Sequence, residues 1–421
     1  MKYIAYTNKS FKRTEYYNRL PPDEKRTFDI LSHIFHFKVN QFVCEELIDW
    51  EKVPDDPIYR YVFPRKEMLF PFDFQTLSQL HQNGLGDSIP NSLSQSLRQK
   101  MSPPVPVAEG SVPKLNGKPI QGMYRNFPTI VSLFPNPMAK TCHAYCSYCF
   151  RWLLFGDREV QEGFSYQDPQ TPIEWLRAHP EVKDALFTGA DPLVLNSSVL
   201  RKYIEPVLQI DSIEVIRISS KSLAWWPFRF TTDKDAEGLL ELFRDVVSSG
   251  KHLNFCGHFT HPRELRHPEV KKAISRIQST GAIIRTQGPI VKGVNDRSEI
   301  WSDLWKQQVS MGLIPYYMFI EADHHPSSCF RIPMAEALQI FQDAQKTTSS
   351  LARTVRGPVF MYDLHRILLD GVAQINGEKF FVLKSLQSPP GSNAEAMIRF
   401  LPYQEDKIDF GDLYRLFNEA E

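Results

Sequence analysis

Cysteine, net charge and long apolar runs are all scarce in this chain of 421 residues. Six cysteines are too few for a disulfide-stapled scaffold of this length. Basic and acidic residues number 49 each, so the formal net charge is zero. This balance argues against a protein built mainly to coat nucleic acid or an anionic membrane. No apolar run approaches the roughly 18 residues of a membrane helix, and the first twenty residues lack a signal-peptide core. We therefore expect a cytoplasmic protein that binds neither nucleic acid nor membrane.

The composition is that of a folded chain, with 42% hydrophobic and 23% charged residues. A size of roughly 150 residues per domain predicts two or three units, or one large α/β barrel with appendages. Residues 1–125 read as a helical region that ends in a Pro-rich strap over 101–122, with helices expected at 23–37 and 74–80. Residues 126–330 form the expected central unit, and 331–421 form a C-terminal lid or extension.

From residue 128 onward, short apolar runs alternate with longer amphipathic ones, which predicts βαβ units and a parallel sheet. The expected strands are 129–134, 184–189, 213–219, 252–257, 282–287 and 314–320, and the expected helices are 173–178, 197–208, 235–249, 266–279 and 297–310. Six units fit a partial barrel or an open sheet, and the spacing does not decide between them. A helix over 334–347, a strand over 357–363 and a hairpin at Asn376-Gly377 follow.

Three cysteines stand within eight residues, directly after the first predicted strand, as Cys142, Cys146 and Cys149 in TCHAYCSYCFRW. Thiolates suit iron–sulfur clusters or zinc. Three cysteines without a nearby fourth indicate a [4Fe–4S] cluster with one open iron, which can bind a small molecule. A structural zinc site with His143 or a remote cysteine as fourth ligand is the alternative, and three unligated buried cysteines are another.

This Cys-x3-Cys-x2-Cys spacing, with Tyr148 before the last cysteine, resembles the signature of the radical S-adenosylmethionine (SAM) superfamily. The resemblance implies a partial (βα)6 radical SAM barrel in which the three cysteines bind three irons. The amino and carboxylate groups of SAM would chelate the fourth iron. One electron would then cleave SAM to a 5′-deoxyadenosyl radical that abstracts hydrogen from substrate.

A narrower resemblance extends over residues 40–365. DDPIYRYVFPR, FTGADPL, HFTHPREL, GPIVKGVND and IPYYMF are similar, in this order, to segments of the lysine 2,3-aminomutase family. The resemblance implies that SAM is bound by Thr188, Gly189, Ala190, Asp191, Arg217, Ser219, His258 and Gln287. Arg217, Ser219 and Lys221 are expected at the end of the third strand. For any one of them, an ion pair to a neighbouring helix is an equal alternative.

The same resemblance implies substrate contacts at Arg151, Asp323 and Asp363. The arginine that matches Arg151 pairs with the substrate carboxylate, and its planar fork suits that role. A salt bridge that steadies the cysteine loop is the alternative. The aspartate that matches Asp363 meets the substrate's distal ammonium group, with Asp323 as a companion. Such a pair of opposite charges would select a zwitterionic amino acid whose length matches the distance between them.

The chain departs from the family where pyridoxal 5′-phosphate (PLP) would bind. The family has a Gly-rich run and then a lysine, seven residues beyond the aspartate that Asp363 matches. Here the stretch reads DLHRILLD, and the seventh residue is Asp370, which cannot form a Schiff base. The family's phosphate-binding arginine is also lost, near Thr129. The alternative is a PLP-dependent amino acid 2,3-aminomutase that uses Lys379 or Lys384.

The sequence therefore predicts a radical SAM enzyme that acts on a small amino acid or related amine without PLP. The substrate radical would end by isomerisation, epimerisation, oxidation, fragmentation or coupling. A non-enzymatic iron–sulfur or electron-transfer protein is the alternative of another class. The expected partners are a reductant such as flavodoxin or ferredoxin and a second copy of the chain, because the family often forms homo-oligomers.

Overall fold

An aromatic cluster holds the N-terminal region together. In this computed structural model, which describes residues 1–84, 89–101, 111–135, 141–149, 151–155, 165–320, 328–362, 364–392 and 397–406, the ring of Phe37 lies 4.7 Å from Phe63 and 4.9 Å from Phe28. Phe11 packs 5.2 Å from Phe28 in the same group. Such ring pairs contribute to stability beyond the area that they bury. The high phenylalanine content of the chain therefore contributes to the core of this region.

Short helices and one strand pair make up this region. Strand β1 (Ala5–Thr7) pairs antiparallel with β2 (Lys38–Asn40). The helices are α1 (Asn8–Phe11), α2 (Glu15–Arg19), α3 (Pro22–Leu31), α4 (Pro57–Val62), α5 (Pro71–Gln82) and α6 (Asn91–Met101). The helix expected over 23–37 ends six residues early, since the chain turns at Ser32 to let β2 pair with β1.

The alternating pattern beyond residue 128 folds into one mixed sheet. A small hairpin, β3 (Lys114–Leu115) with β4 (Lys118–Pro119), precedes it. The sheet strands are β5 (Met123–Phe127), β6 (Ile130–Leu133), β7 (Asp184–Phe187), β8 (Val215–Ser220), β9 (His252–His258), β10 (Ile283–Ile290), β11 (Ile314–Ile320), β12 (Arg356–Tyr362), β13 (His365–Ile375), β14 (Glu378–Gln387) and β15 (Ile398–Pro402). They lie side by side in chain order, and β6 to β12 are parallel.

Amphipathic helices connect the parallel strands. They are α7 (Gln170–Ala178), α8 (Ser197–Leu208), α9 (Ser222–Trp225), α10 (Ala236–Ser248), α11 (Pro268–Gln278), α12 (Ser298–Ser310) and α13 (Met334–Lys346). The apolar face of α10 buries Leu239, Phe243 and Val246, and Phe243 meets Phe255 of β9. Each such buried side chain contributes about 1.5 to 3 kcal/mol of transfer free energy.

The opposite face of the sheet is unusually polar for parallel strands. Leu253 and Phe255 of β9 are buried towards the helices, while Asn254, between them, points the other way to Arg285 of β10. Parallel strands that are buried on both faces usually carry apolar residues on both faces. Asn254 and Arg285 would not be expected in such strands. This polar face, at its carboxyl end, is therefore where a ligand site is expected.

The six strands and the helices between them confirm the predicted βαβ pattern and a mixed α/β fold. The sheet continues past the sixth strand, because β12 joins β11 in parallel, with Phe319 opposite Val359. The proposed unit boundary at residue 330 therefore lies inside one continuous sheet, and the three-unit division stays a prediction. Asn376 and Gly377 have φ of 51° and 88°, as a two-residue hairpin turn requires. Within the described ranges, every helix is too short or too polar to span a bilayer.

Candidate functional site

The cysteine loop, residues 141–149, lies at the carboxyl end of β6. The amide of Tyr145 donates to the Lys38 carbonyl at 2.8 Å, and the amide of Ser147 donates to the Tyr61 carbonyl at 2.9 Å. From the other side, the amide of Asp191 donates to the carbonyl of Thr141 at 3.2 Å. The N-terminal region and the sheet together therefore fix the loop's conformation.

The three loop cysteines are half-buried. Burial raises the pKa of Cys142 well above its usual value, and the charges of Asp191, Cys149 and Cys146 raise it further. Burial also raises the pKa of Cys146 to about 12, although Lys221 opposes the shift. Cys142 and Cys146 are thus protonated when no metal is bound, and metal binding must displace their protons.

Cationic side chains surround this loop. Lys38 Nζ donates to Thr141 Oγ1 at 3.0 Å and lies close enough to Cys142 to lower the pKa of its thiol. Arg151 lies near Cys142 and Cys149, whose charges raise the pKa of its guanidinium against the effect of burial. A [4Fe–4S] core held by three thiolates carries net negative charge, which these groups and Lys221 would offset. The residues present therefore fit a cluster.

A zinc site that uses His143 does not fit the structure. The ring Nδ1 of His143 lies 2.9 Å from Ser222 Oγ, and its carbonyl accepts from Asn40 Nδ2 at 3.1 Å. Burial lowers the pKa of His143 to about 3, so the ring is neutral. In the ranges that the structure describes, His, Cys, Asp and Glu side chains, the three loop cysteines included, do not converge as three or more around one ion, as a zinc site requires. A cluster has several irons, and its thiolates lie farther apart than the ligands of a single ion. His143 is a structural residue beside the loop.

The turn after β7 lies against the cysteine loop, as predicted. The amide of Thr188 donates to the Leu133 carbonyl at 2.9 Å, which joins β7 to β6. Gly189 has φ of 151°, a conformation that residues with a Cβ rarely adopt. Its carbonyl accepts from Arg151 Nη1 at 2.6 Å. Arg151 therefore joins the cysteine loop to this turn, which is the steadying role that the sequence left as an alternative.

The carboxylate of Asp191 is hydrogen-bonded inside the protein. It is 2% exposed, and its carboxylate accepts hydrogen bonds from the Ser220 and Ser222 hydroxyls and from the amides of Leu193 and Lys221 at 2.9 to 3.0 Å. These bonds use the acceptor capacity of both oxygens. The carboxylate of Asp191 therefore connects the ends of β7 and β8, and its contact with SAM stays a prediction.

Ser219, His258 and Gln287 lie half-buried on the polar face, near the carboxyl ends of neighbouring strands. Gln287 pairs directly with His258 across β10 and β9. Burial lowers the pKa of His258 to about 3, helped by the charges of Lys221 and Arg151. The ring is therefore neutral and can both donate and accept a hydrogen bond. Ala190, also half-buried, follows Gly189 at the same edge.

Arg217 is not at the end of its strand. It is the third of six residues in β8, and its Nη1 lies 3.0 Å from Asp184 Oδ2 of β7. Both side chains are more than four-fifths buried. The expected place at the end of the strand is wrong, because the strand runs three residues beyond Arg217, and its contact with SAM stays a prediction. The ion pair that the sequence left as an alternative exists, although its partner is on a strand rather than a helix.

The acidic substrate candidates Asp323 and Asp363 lie outside the described residues. Asp370, in the place of the family's lysine, is exposed on β13. Lys379 and Lys384 are exposed on β14, and Lys379 lies over the ring of Tyr403.

Sequence reasoning missed the layer below the cysteine loop. Tyr61, Thr260 and Glu264 are all 0% exposed and are joined by hydrogen bonds that also reach Cys146 and Lys221. Tyr61 lies in the segment DDPIYRYVFPR, which the sequence analysis used only for its resemblance to the aminomutase family. Nothing local in this segment indicates a contact with Cys146, 85 residues away along the chain.

Known proteins are similar to this chain in sequence. No family model matches the chain. A putative L-lysine 2,3-aminomutase from Aquifex aeolicus is 29% identical over 348 residues, which cover 81% of this chain and 79% of that protein. L-lysine 2,3-aminomutase from Fusobacterium nucleatum is 27% identical over 245 residues, and the match spans only 53% of its length and 58% of this chain. The solved structure of SuiB from Streptococcus suis bound to precursor peptide SuiA aligns with a TM-score of 0.38 and 10% identity, over 75% of this chain and 66% of SuiB.

The chain is thus similar in sequence to L-lysine 2,3-aminomutases over as much as 81% of its length. The spacing of its three loop cysteines is in addition that of the radical SAM signature. A [4Fe–4S] cluster and SAM are the cofactors that this signature implies.

Proposed function

We propose that Cys142, Cys146 and Cys149 bind a [4Fe–4S] cluster and that the enzyme abstracts hydrogen from a small amino acid or related amine without PLP. The observation that supports this best is the loop of three cysteines, surrounded by Lys38, Lys221 and Arg151, at the carboxyl edge of the sheet. The cluster, when bound, supplies the electron that cleaves SAM to a 5′-deoxyadenosyl radical.

The polar face provides the groups that would hold SAM. Backbone groups of Gly189 and Ala190 lie at the turn after β7, against the loop. Ser219, the neutral His258 and Gln287 offer hydroxyl, imidazole and amide groups at the next strand ends. These groups donate and accept without carrying charge, which suits the hydroxyls of ribose and the edge of adenine. Thr188 is 7% exposed and supports the turn rather than the ligand.

The positions of the lysines support a reaction without PLP. Lys379 and Lys384, which could have replaced the family's lysine, are exposed on β14. Lys221 lies close to the cysteine loop, but its Nζ is 2.7 Å from Glu264 Oε1 and is 8% exposed. A lysine held as a buried ammonium ion is a poor nucleophile for the PLP aldehyde, with which it would have to form an imine. A PLP-dependent 2,3-aminomutase is therefore the second candidate.

The strand that replaces the Gly-rich run brings a guanidinium into the protein. Arg366 of β13 lies over the rings of Phe127 and Tyr317, at 4.9 and 5.1 Å, and donates to Gln387. Its Nε is buried and makes no hydrogen bond to any described residue. Arg366 lies near Asp184 at the start of β7 and not beside Arg151, so Arg151 alone supports a substrate that carries an anionic group such as a carboxylate. Asp323 and Asp363 are proposed to meet its amine.

The test is an anaerobic assay of the protein reconstituted with iron and sulfide. After reduction with dithionite and addition of SAM, 5′-deoxyadenosine is measured with and without PLP and with single amino acids. We expect deoxyadenosine without PLP, in an amount that one amino acid increases. Turnover that requires PLP would favour the second candidate. No deoxyadenosine under any condition would favour a non-enzymatic iron–sulfur protein.

A further inference from the structure

The hydroxyl of Tyr61 lies beside a cluster cysteine at the bottom of the loop. Tyr61 is the fifth residue of the six-residue helix α4 and is 0% exposed. Its Oη lies 3.6 Å from Cys146 Sγ, 2.8 Å from Tyr148 Oη and 2.7 Å from Thr260 Oγ1. The N-terminal region thus places a hydroxyl group against a residue that the proposed cluster needs.

Counting protons fixes the direction of these hydrogen bonds once iron is bound. A thiolate can only accept, so the contact with Cys146 requires the proton of Tyr61. A phenol oxygen then has two acceptor positions left. The hydroxyl of Thr260 donates to one of them, and that of Tyr148 is placed to donate to the other. With the cluster present, every hydrogen-bonding position of Tyr61 is used.

A positive charge lies at the start of this series of hydrogen bonds. Lys221 Nζ donates to Thr260 Oγ1 at 3.3 Å, and Thr260 donates to Tyr61. When Cys146 is a thiolate and accepts from Tyr61, the donors therefore run from Lys221 through Thr260 and Tyr61 to Cys146. Hydrogen bonds in such a series polarise one another, and an ammonium at the start strengthens the last donor. Glu264, at 2.7 Å from Nζ, holds Lys221 in place.

The phenol keeps its proton in this setting. A phenol ordinarily titrates at about pH 10, and the side chain of Tyr61 is fully buried, which disfavours the anion. A neutral hydroxyl that is fixed by two neighbours is a preorganised donor. It needs no rearrangement when the negative charge on the cluster sulfur increases.

We propose that Tyr61 is a positioning residue that donates a hydrogen bond to the Cys146 thiolate and thereby raises the reduction potential of the cluster. This inference rests on the proposed cluster. Reduction adds negative charge to the cluster and its sulfur ligands, so a donor at a ligand sulfur stabilises the reduced state more than the oxidised one. The N-terminal region is then part of the redox site and not only a cover.

The experiment compares reduction potentials of reconstituted variants, measured by EPR-monitored titration without substrate. Tyr61→Phe removes the donor and keeps the ring. Tyr59→Phe is the matched control, because Tyr59 lies on the same helix, is 2% exposed and bonds to Glu24 at 2.8 Å instead of the loop. We expect a more negative potential in Tyr61→Phe, a smaller shift of the same sign in Thr260→Val, and the wild-type potential in Tyr59→Phe.

A second measurement detects the proton of the hydrogen bond between Tyr61 and Cys146 directly. Electron–nuclear double resonance of the reduced cluster in H2O and D2O should show an exchangeable proton near sulfur that is lost in Tyr61→Phe and kept in Tyr59→Phe. Equal potentials in the two variants, or an unchanged exchangeable proton, would overturn the inference. If Tyr61→Phe binds no iron, Thr260→Val decides, since it keeps the phenol: a negative shift supports the inference and an unchanged potential overturns it. Failure of the proposed cluster itself would look different, because wild type and Tyr59→Phe would then also bind no iron.

Discussion

Lys221 Nζ lies 2.7 Å from Glu264 Oε1, in an ion pair whose side chains are 8% and 0% exposed. The other oxygen of Glu264 accepts from the amide of Thr260 at 2.6 Å, and Trp225 Nε1 donates to Oε1 at 3.2 Å. The pair therefore joins the end of β8 to the turn after β9, directly below the cysteine loop. Removing one partner would leave the other charge buried.

We predict that Lys221→Met lowers the free energy of unfolding by about 3 to 5 kcal/mol, as is typical when one partner of a buried pair is removed. Urea denaturation of the metal-free protein measures this change. Lys183→Met is the control: Lys183 and Glu214 are 3.5 Å apart with side chains 45% and 66% exposed, and such surface pairs contribute about 0 to 1 kcal/mol. Equal losses in the two variants would contradict the prediction.

The cysteine loop makes a direct prediction about iron. Replacing Cys142, Cys146 or Cys149 by Ala should abolish binding of a [4Fe–4S] cluster, because each thiolate is needed for one iron. Cys44→Ala, a buried cysteine outside the loop, should keep it. Iron and sulfide content and the visible absorption of anaerobically reconstituted protein give the result. Full iron retention in a loop variant would rule out the assignment of that cysteine.

Gly288 follows Gln287 on β10 at a point where two backbones meet. A Cβ there would lie 2.1 Å from the carbonyl oxygen of Phe259, which cannot move independently of its strand. We predict that Gly288→Ala destabilises the protein by about 1 to 3 kcal/mol or more. Gly371→Ala is the matched control, since no atom lies within 4 Å of its Cβ, and it should leave stability unchanged or slightly increased. Thermal denaturation of both variants checks this.

His143 makes stability depend on pH. Its pKa is lowered by burial to about 3 in the folded state, against 6.5 for an ordinary histidine. Between these values the unfolded chain binds the extra proton, so stability falls as pH decreases below about 6.5. From pH 8 to pH 5 the loss due to this group is about 2 kcal/mol.

The measurement is urea denaturation of metal-free wild type and His143→Gln at both pH values. His143→Gln is less stable at pH 8, since it disturbs the contact with Ser222, but its further loss at pH 5 should be about 2 kcal/mol smaller than that of wild type. The same further loss in both proteins would show that His143 is not the titrating group.

The contrast between Ser219 and Asp191 shows what the sequence could predict and what it could not. Apolar periodicity places strand ends within a few residues, so the cysteine loop, Ser219, His258 and Gln287 could be assigned to one edge of the sheet. The direction of the Asp191 carboxylate depends on Ser220 and Ser222, about thirty residues away. No local pattern carries such information.

The strand position of Arg217 was predicted incorrectly, and the contact of Tyr61 was not predicted, for related reasons. The prediction ended the third strand one residue early and read Arg217 as lying close to that end, whereas β8 continues to Ser220. The contact of Tyr61 with Thr260 spans 199 residues and depends on how the N-terminal region packs under the loop. The departure at Asp370, by contrast, was visible in the sequence, because it depends on residue type alone.

Arg217 and His258 should therefore respond differently in SAM binding. His258→Ala removes a neutral hydrogen-bonding group at the carboxyl edge, and loss of one such bond to a ligand corresponds to about 1 kcal/mol, or several-fold weaker binding. Arg217→Met breaks the ion pair with Asp184 away from that edge, so it should reduce stability while SAM affinity stays within about twofold of wild type. Equilibrium binding of SAM to the oxidised, reconstituted variants, with urea denaturation alongside, separates the two effects. Weak SAM binding by a well-folded Arg217→Met protein would return Arg217 to the cofactor site and contradict the strand position as the deciding factor.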